Sequence, residues 1–364
     1  MARRFGSSVR DVALIGCGQF AYSNIGYALL TKRGLCIKSC YDIDLKAASS
    51  LADGLSVMTV AAEVDEIMRD PDVKVVYVAS NHASHSDYAI RAITANKAVY
   101  IEKPISVTFE QLKRLAQARR NASSKVYAGY NRPFAPAIKE LKRTCDDFGQ
   151  PLTLSCFILA HQLAPDHWYR DEGEGSRICG NAGHWIDLAI HMLSWGNLPD
   201  KWVIDLTWAD DHQRDENLVI NLTSERHDLI NIVFSARTEP FEGVSERINF
   251  QLGSTIARID DFRSMTLWKG ESLRRFKFTP KDAGHTTAIL QPFHELRRNF
   301  DEVEMSTALM LKIADMIAKK ERSARFMFST LWRELRVDPV HKGSKTFVTT
   351  QECQGGKSIS GKYG

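Results

Sequence analysis

Several things are missing from this chain, and each absence narrows what it is. No Cys-x-x-Cys pair occurs among its seven cysteines: Cys17, Cys36, Cys40, Cys145, Cys156, Cys179 and Cys353. An odd count without paired spacing in a long chain argues against a disulfide framework, so a reducing, cytoplasmic compartment is the expectation. The N-terminus carries Arg3, Arg4 and Arg10 but no apolar run before Val12, so no signal peptide is expected. Apolar segments are short and interrupted, and none is expected to span a membrane. Charge of one sign is not in excess: the formal net charge is +4 with both signs mixed, too little to argue for nucleic acid. No repeat with a period of about 20–50 residues is visible, which excludes a solenoid. Apolar residues run low only at the end, where Lys357 and Lys362 stand among Gly and Ser. A loosely ordered tail is expected over 341–364.

What remains is a soluble, globular composition. The chain has 364 residues, 44% hydrophobic and 25% charged, too long for one small core and about right for two domains. Val12–Ile15 is a short apolar run that ends in Gly16-Cys17-Gly18-Gln19-Phe20-Ala21, and a helix-compatible stretch follows to about Thr31. Strand, glycine turn and helix form the context in which a GxGxxA pattern carries meaning. Gly16 permits the tight turn, Gly18 lets backbone approach a pyrophosphate, and Ala21 lets helix pack on strand. The helix N-terminus favours phosphate charge. A second strand over 35–41 ends in Asp42, where a carboxylate accepts hydrogen bonds from an adenosine ribose. The same carboxylate repels a 2′-phosphate, which favours NAD(H) over NADP(H). A turn or cap role is the competing reading of Asp42, although Asp44 is the better cap for the helix at 45–51.

Further strands are expected at 56–60, 73–79, 98–101 and 125–129, with helices at 61–69, 85–96 and 109–120. This alternation gives a doubly wound parallel sheet with right-handed crossovers. One strand ends in Ser80-Asn81-His82 and another in Glu102-Lys103-Pro104. Ligands bind at the carboxyl edge of such a sheet. The proline removes a backbone donor and keeps a helix from starting at Lys103. A lysine fixed there beside a carboxylate is a candidate for proton chemistry; a surface ion pair closing an ordinary strand is the alternative. Arg132, just past the last strand, reads either as a contact for a phosphate or substrate carboxylate or as an interdomain ion pair.

Beyond residue 130 the texture changes. A helix at 135–148 and a strand at 152–160 precede a helical stretch at 181–195. β runs follow at 202–208, 218–223, 229–236, 247–252, 255–261 and 265–268, and their spacing reads as an antiparallel meander. Its apolar face needs a cover, which 182–195 and 286–320 supply unless they pack on the first domain. The fold class is α/β: an N-terminal Rossmann sheet over 1–130, then an α+β domain over 131–340 with a large, mostly antiparallel sheet. Within Gly180–His191, the residues His184, Asp187 and His191 share a helix face. They read as a metal site with no evident fourth ligand, or His184 is a satisfied core histidine. The third reading makes His184 an acid/base oriented or charged by Asp187. Trp168 and Tyr169, in the loop Asp166–Arg170, either cover a cofactor or substrate or belong to a surface loop anchored by its tryptophan.

Together these motifs resemble the glucose–fructose oxidoreductase / inositol dehydrogenase / MocA (Gfo/Idh/MocA) family, from about Asp11 to Asp187. The carrying stretches are GCGQFA, Ser80-Asn81 with Ser84-His85, Tyr100-Ile101-Glu102-Lys103-Pro104, and Gly129–Phe134. A further stretch, HWYRDEGEGSRICGNAGHWID, is similar to one that a subgroup of the family carries. The resemblance implies an NAD(P)-dependent oxidoreductase that moves a hydride between nicotinamide and a secondary alcohol or ketone of a sugar, cyclitol or nucleotide-sugar. It implies catalytic roles for Lys103 and His184, with Asp187 near the substrate. It places Gly16, Gly18, Gln19, Phe20, Ala21, Asp42, Ser80, Asn81, His85, Glu102 and Arg132 at the cofactor, NAD(H) being favoured and NADP(H) the alternative. Lys103, Trp168, Tyr169, Asn181 and His184 are implied at the substrate, and no metal. An exposed sheet face implies a homodimer or homotetramer; the expected partner is a small molecule, not nucleic acid or membrane. The chain departs from the family's pattern twice. An acid usually stands three or four positions before the histidine, where this chain has Asn181 and Gly180. The usual triple glycine is Glu174-Gly175-Ser176. A non-catalytic nicotinamide-binding regulator, or a reductase of a non-sugar ligand, is the alternative on the same fold.

Overall fold

The structure is a computed structural model that describes residues 9–171, 173–294 and 298–334. The tail expected at 341–364 lies outside the described residues. The first sheet holds β1 (Val12–Ile15), β2 (Ile37–Tyr41), β3 (Thr59–Val60), β4 (Val75–Val78), β5 (Ala98–Ile101) and β6 (Val126–Ala128). All pairs are parallel and the order is β3-β2-β1-β4-β5-β6. The order reverses between β1 and β4, which opens a crevice beyond their carboxyl ends. Alternate residues of each strand serve opposite faces. Val12, Leu14 and Tyr77 share one core with α1 (Tyr27–Arg33) and α2 (Leu45–Leu55). Ala13, Ile15 and Val76 share another with α3 (Val64–Arg69), α4 (His85–Thr94) and α5 (Phe109–Arg120). Asp44 caps α2, accepting from the Lys46 N–H at 2.9 Å, as its short side chain and position before an apolar-periodic run lead one to expect.

After α6 (Pro136–Thr144) the second sheet begins with β7 (Leu152–Leu159), and α7 (Gly183–Leu193) follows. Then come β8 (Lys201–Trp208), β9 (Asn217–Ser224), β10 (Leu229–Ser235), β11 (Ser245–Leu252), β12 (Thr255–Asp260), β13 (Ser264–Lys269) and β14 (Ser272–Lys277). The chain closes with α8 (His285–Ile289), α9 (Phe300–Lys319), β15 (Ser323–Met327) and α10 (Phe328–Glu334). The sheet order is β14-β13-β12-β11-β7-β10-β9-β8-β15. The expected simple meander is therefore corrected: β7 lies in its middle, parallel to β10 and antiparallel to β11. Two strands were not expected. β14 carries Arg274, Arg275 and Lys277 on a sheet edge, where charge discourages further pairing and weakens the β signal. β15 is short and follows a long helix.

Strict alternation in β8 turns Trp202, Ile204, Leu206 and Trp208 inward. The opposite face leaves Phe157 43%, Leu229 54% and Ile256 46% exposed. The segment after β14 returns to the first sheet: the Tyr77 hydroxyl donates to the Ile289 carbonyl at 2.6 Å, and Ile289 and Leu290 join the α1–α2 core. α9 is tied to α5 through Glu304, which takes Arg119 at 2.8 Å and Arg120 at 2.9 Å. No helix among the described residues is long and apolar enough to cross a membrane.

Candidate active site

The strand ends of the first sheet form one wall of a cleft of about 750 Å³. At the end of β1, Gly16 has φ +90°, and a Cβ on it would lie 2.4 Å from the Ala79 carbonyl group beyond β4. Only glycine fits there. A Cβ on Gly18 would meet no protein atom within 4 Å, and this residue lines the cleft. The open space beside Gly18 is the cradle a pyrophosphate needs for close backbone approach. Asp42, at the end of β2, accepts from the Cys17 N–H at 2.7 Å and the Asp44 N–H at 2.9 Å. It ties the glycine turn to the neighbouring strand and still faces the cleft with Gln19 and Phe20. Ala21 is buried beneath the turn, in the core shared with α1 and α2. These residues fit a dinucleotide.

Ser80, Asn81 and His82 leave β4 and line the middle of the cleft. His82 was not singled out for a role by the sequence reading, although it stands at the same strand end. Its Nδ1 faces the Glu174 carbonyl at 3.0 Å, and a carbonyl only accepts, so Nδ1 carries the proton. Burial, followed by the charge of Lys103, pushes this imidazole down to about 2, so the ring is neutral. His85 also borders the cleft. Its ring nitrogens, however, lie 2.8 Å from the Pro104 carbonyl and 3.0 Å from the Ser80 carbonyl. The neutral ring has one N–H and so donates to one of these two carbonyls, at the ends of β4 and β5, while the residue stays in the cleft wall where the cofactor is expected.

The end of β5 carries the reacting lysine candidate. Lys103 Nζ donates to the Gly180 carbonyl at 2.8 Å, across to the second sheet's side of the cleft. Glu102 is 5% exposed and is held by the Tyr100 hydroxyl at 2.9 Å and the Lys103 N–H at 3.1 Å. Burial pushes its carboxyl up to about 7, against the lowering effect of the Lys103 charge and these two bonds.

His184 opens α7 and faces the same cleft, half-buried. Its Nδ1 has no protein partner. Burial, then the charges of Arg132 and Lys103, hold its imidazole well below the ordinary range. Asp187 does not serve it. Fully buried, Asp187 accepts from Arg298 at 2.7 Å and from the Ser306 hydroxyl at 2.7 Å, and it is not part of the cleft wall. The expectation that Asp187 orients His184 or meets the substrate is thereby corrected. His191 faces Glu302 at 2.9 Å, so the three residues do not converge on one point. Among the described residues no group of three or more His, Cys, Asp or Glu side chains is placed to hold a metal.

Arg132 requires the same treatment. It makes a bidentate pair with Glu246 at 2.8 and 2.9 Å, beneath the Trp185 ring at 4.3 Å, and is 6% exposed. Arg132 is spent in an ion pair, though one within 131–340 rather than between domains, and the expected cofactor contact is corrected. Its neighbour Asn131 lines the cleft instead. Asn131 donates to the Ala283 carbonyl at 2.7 Å and leaves its own oxygen without a partner. Asn181, expected at the substrate, sits in the turn before α7 outside the cleft wall, with its side-chain oxygen buried and unpartnered.

Trp168 and Tyr169 do line the cleft. Their rings lie 4.4 and 4.8 Å from His82. The loop is fastened by Glu174, whose carboxylate accepts from Asn81 Nδ2 at 2.6 Å and the Ala83 N–H at 3.2 Å. The residue that departs from the expected triple glycine is thus the fastener. His285, from α8, completes the wall. Its ring opens to solvent, yet the surrounding protein, then the charges of Arg132 and Lys103, hold it below its ordinary range. Nothing local to residue 285 signals this role, because only the fold brings α8 to the first sheet.

Comparisons with known proteins agree with this arrangement. Residues 10–130 match an oxidoreductase family with an NAD-binding Rossmann fold, GFO_IDH_MocA. The inositol 2-dehydrogenase of Ralstonia nicotianae is 30% identical over 150 residues, 40% of this chain and 44% of that one. That of Pseudomonas savastanoi is 31% identical over 149 residues, again 40% and 44% of the two chains. The chain thus spans less than half the length of the curated relatives it matches. Over nearly the whole fold it resembles a dehydrogenase from Chromobacterium violaceum, with TM-score 0.72 and 21% identity, covering 86% of this chain and 96% of that one. Levoglucosan dehydrogenase, solved in complex with NADH, gives TM-score 0.72 at 16% identity, covering 86% and 98%. Residues 10–130, about a third of the chain, thus form an NAD-binding Rossmann domain similar to that of the GFO_IDH_MocA oxidoreductases.

Proposed function

We propose that this protein transfers a hydride between NAD(H) and a secondary alcohol or ketone of a sugar, cyclitol or nucleotide-sugar. The observation that carries the reading is convergence: the glycine turn, Asp42, Lys103 and His184 all face one cleft. In this reading residues 1–130 hold the cofactor and residues 131–340 supply the substrate side. When bound, nicotinamide supplies the hydride acceptor or donor. Asp42 receives the adenosine ribose hydroxyls and disfavours a 2′-phosphate, so NAD(H) is preferred over NADP(H). Lys103 acts as a cationic donor to the substrate oxygen, releasing the Gly180 carbonyl to do so. A donor aimed at developing negative charge lowers the barrier because it is already oriented. His184 lines the cleft and is neutral, so its imidazole accepts the hydroxyl proton during oxidation and returns it during reduction. Trp168 and Tyr169 shield the reacting end from water.

The exposed apolar side chains on the open face of the second sheet, Phe157, Leu229 and Ile256 among them, support pairing of two such faces in a homodimer or homotetramer. The buried thiols Cys17, Cys36, Cys40, Cys145, Cys156 and Cys179 suit a cytoplasmic enzyme. The test is absorbance at 340 nm with NAD⁺ and a panel of cyclitols and sugars. NADH formation by at least one compound is expected. NADH binding without consumption of any would refute the enzymatic reading in favour of a nicotinamide-binding regulator.

A further inference from the structure

The charges around the reacting end of the cleft do not balance. Among the described residues, the carboxyl groups that line the cleft are Asp42 and Glu102. Asp42 stands with the glycine turn, engaged by the Cys17 and Asp44 N–H groups. Glu102 is buried behind Lys103 and is taken by the Tyr100 hydroxyl and the Lys103 N–H. Outside the wall, Asp282 acts on His285 from an exposed position and accepts from the Gly284 N–H at 2.8 Å, while the buried acids are spent. Asp187 belongs to Arg298 and Ser306, Glu246 to Arg132 and Trp185, and Glu174 to Asn81 and Ala83. Gly180 contributes only a backbone carbonyl.

Facing the substrate are therefore an ammonium, Lys103, and two neutral imidazoles, His184 and His285. Burial, and after it the charges of Arg132 and Lys103, hold both imidazoles below their ordinary range; an anion beside them would offset the second cause. NAD⁺ would add a further positive ring at this end. The Lys103 ammonium and that ring would repel strongly in a walled cleft, where water is a poor screen.

Building on the proposed function of this site, we infer that the substrate supplies the missing negative charge: it is a polyhydroxy acid, a sugar or cyclitol bearing a carboxylate that Lys103 and His285 receive. The carboxylate is a spectator. The carbinol C–H bond breaks with its electron pair going to NAD⁺, the hydroxyl proton goes to His184, and the products are a keto acid and NADH. Discrimination of this kind is large because a neutral analogue leaves the site's charged donors unpaired.

The test compares matched acids and neutral polyols at constant ionic strength, by NADH fluorescence of the NADH-loaded protein. The pairs are D-glucuronate with D-glucose, D-galacturonate with D-galactose, and D-gluconate with D-sorbitol. In at least one pair the acid is expected to bind at least tenfold more tightly. His285→Ala, a change at a solvent-open ring, is expected to shrink that preference below threefold, and Lys103→Met to abolish it. Equal or tighter binding of the neutral partner in every pair would overturn the inference while leaving the oxidoreductase reading intact. So would a preference that survives both substitutions. Acid-selective binding with no turnover of any acid would sink the oxidoreductase reading and leave this one standing. Absence of NADH binding would overturn both.

Discussion

Lys103→Met is the substitution that separates a catalytic lysine from a structural one. Methionine keeps most of the side chain's length and its apolar packing, and it removes the charge and the donor. In the ground state Lys103 makes one hydrogen bond, Nζ to the Gly180 carbonyl at 2.8 Å. Losing it costs about 1 kcal/mol of stability, since a typical intramolecular hydrogen bond contributes about 0.5–1.5 kcal/mol net. The Gly180 carbonyl lies beside a cleft that water reaches, which keeps the cost at the low end. The transition state loses more. One donor aimed at a developing oxyanion is worth roughly 10²–10³ in rate, about 2.7–4 kcal/mol, and proton handling extends the range to about 10⁴. The charge also acts on Glu102, whose carboxyl it lowers. Without it the carboxyl titrates higher still, so the variant's site is neutral at pH 7. Steady-state kinetics should show kcat/KM down by about 10²–10⁴-fold while the Kd for NADH, read by fluorescence, changes little. Urea denaturation should place the variant within about 1 kcal/mol of wild type. Turnover at the wild-type rate would refute the assignment. So would a loss of activity matched by an equal loss of NADH affinity.

Other substitutions probe the rest of the site. Asp42→Ala removes the acceptor for two backbone N–H groups and the proposed ribose contact. NAD(H) should bind about tenfold or more weakly, because hydrogen bonds to a charged group are worth about 1.5–3 kcal/mol, and the preference over NADP(H) should narrow in titrations with both. Glu102→Gln tests the buried carboxyl. Its folded value of about 7 lies above its ordinary 4.5, so the folded state holds a proton that the unfolded state releases. Wild-type stability therefore falls as pH rises from about 4.5 to about 7, by on the order of 3 kcal/mol, and the glutamine variant lacks that slope. Urea titrations at pH 5 and pH 8 should show the variant gaining on wild type at the higher pH; parallel profiles would reject the raised value. Glu174→Ala unfastens the loop from Asn81 and Ala83. KM for the substrate should rise about tenfold with kcat less affected, and limited proteolysis should cut faster within 161–177. Asp187→Ala takes from the buried Arg298 one of its two carboxylates, leaving Glu302 at 3.2 Å, and removes the acceptor of the Ser306 hydroxyl. It should cost about 3–5 kcal/mol of stability while the folded fraction keeps its kcat, an outcome that a catalytic Asp187 would not permit.

The parts of this site that were legible in the sequence share one property: their chemistry is local. Gly16, Gly18, Asp42, Ser80, Asn81 and Lys103 each stand at or just beyond the end of an apolar run. A parallel sheet brings all such ends to one edge whatever the helices between them look like. The readings that failed concern charges whose partners lie far away in the chain. Arg132 pairs with Glu246, 114 residues on, and Asp187 with Arg298, 111 residues on. Helix periodicity placed Asp187 on the face of His184 correctly enough to suggest a pair. It said nothing of a buried guanidinium arriving from the segment before α9, which wins because a buried carboxylate needs a full countercharge more than a neutral ring does. His285 was invisible for the same reason. β14 was missed because its outward positions are arginine and lysine, so its composition resembles a loop.

The lost acid before His184 is where fold and sequence bear most closely on each other. A side chain at residue 180 has no room: a Cβ there would lie 2.4 Å from the ring of Tyr169. The ring is held there by its neighbours His82 and Trp168 and by the loop that Glu174 fastens. Of the two departures from the family's pattern, Glu174 is the loop's fastener, whereas the lost acid falls at Asn181 and Gly180 matches the glycine before it. A glutamate draws the loop onto the β4 end, the loop brings Tyr169 over residue 180, and glycine is what that close approach tolerates. Lys103 meets the carbonyl of that same glycine at 2.8 Å. The acid's own place in the pattern, Asn181, carries a side-chain oxygen that is buried without a partner, so the change there removes a charge without filling its hydrogen bonds.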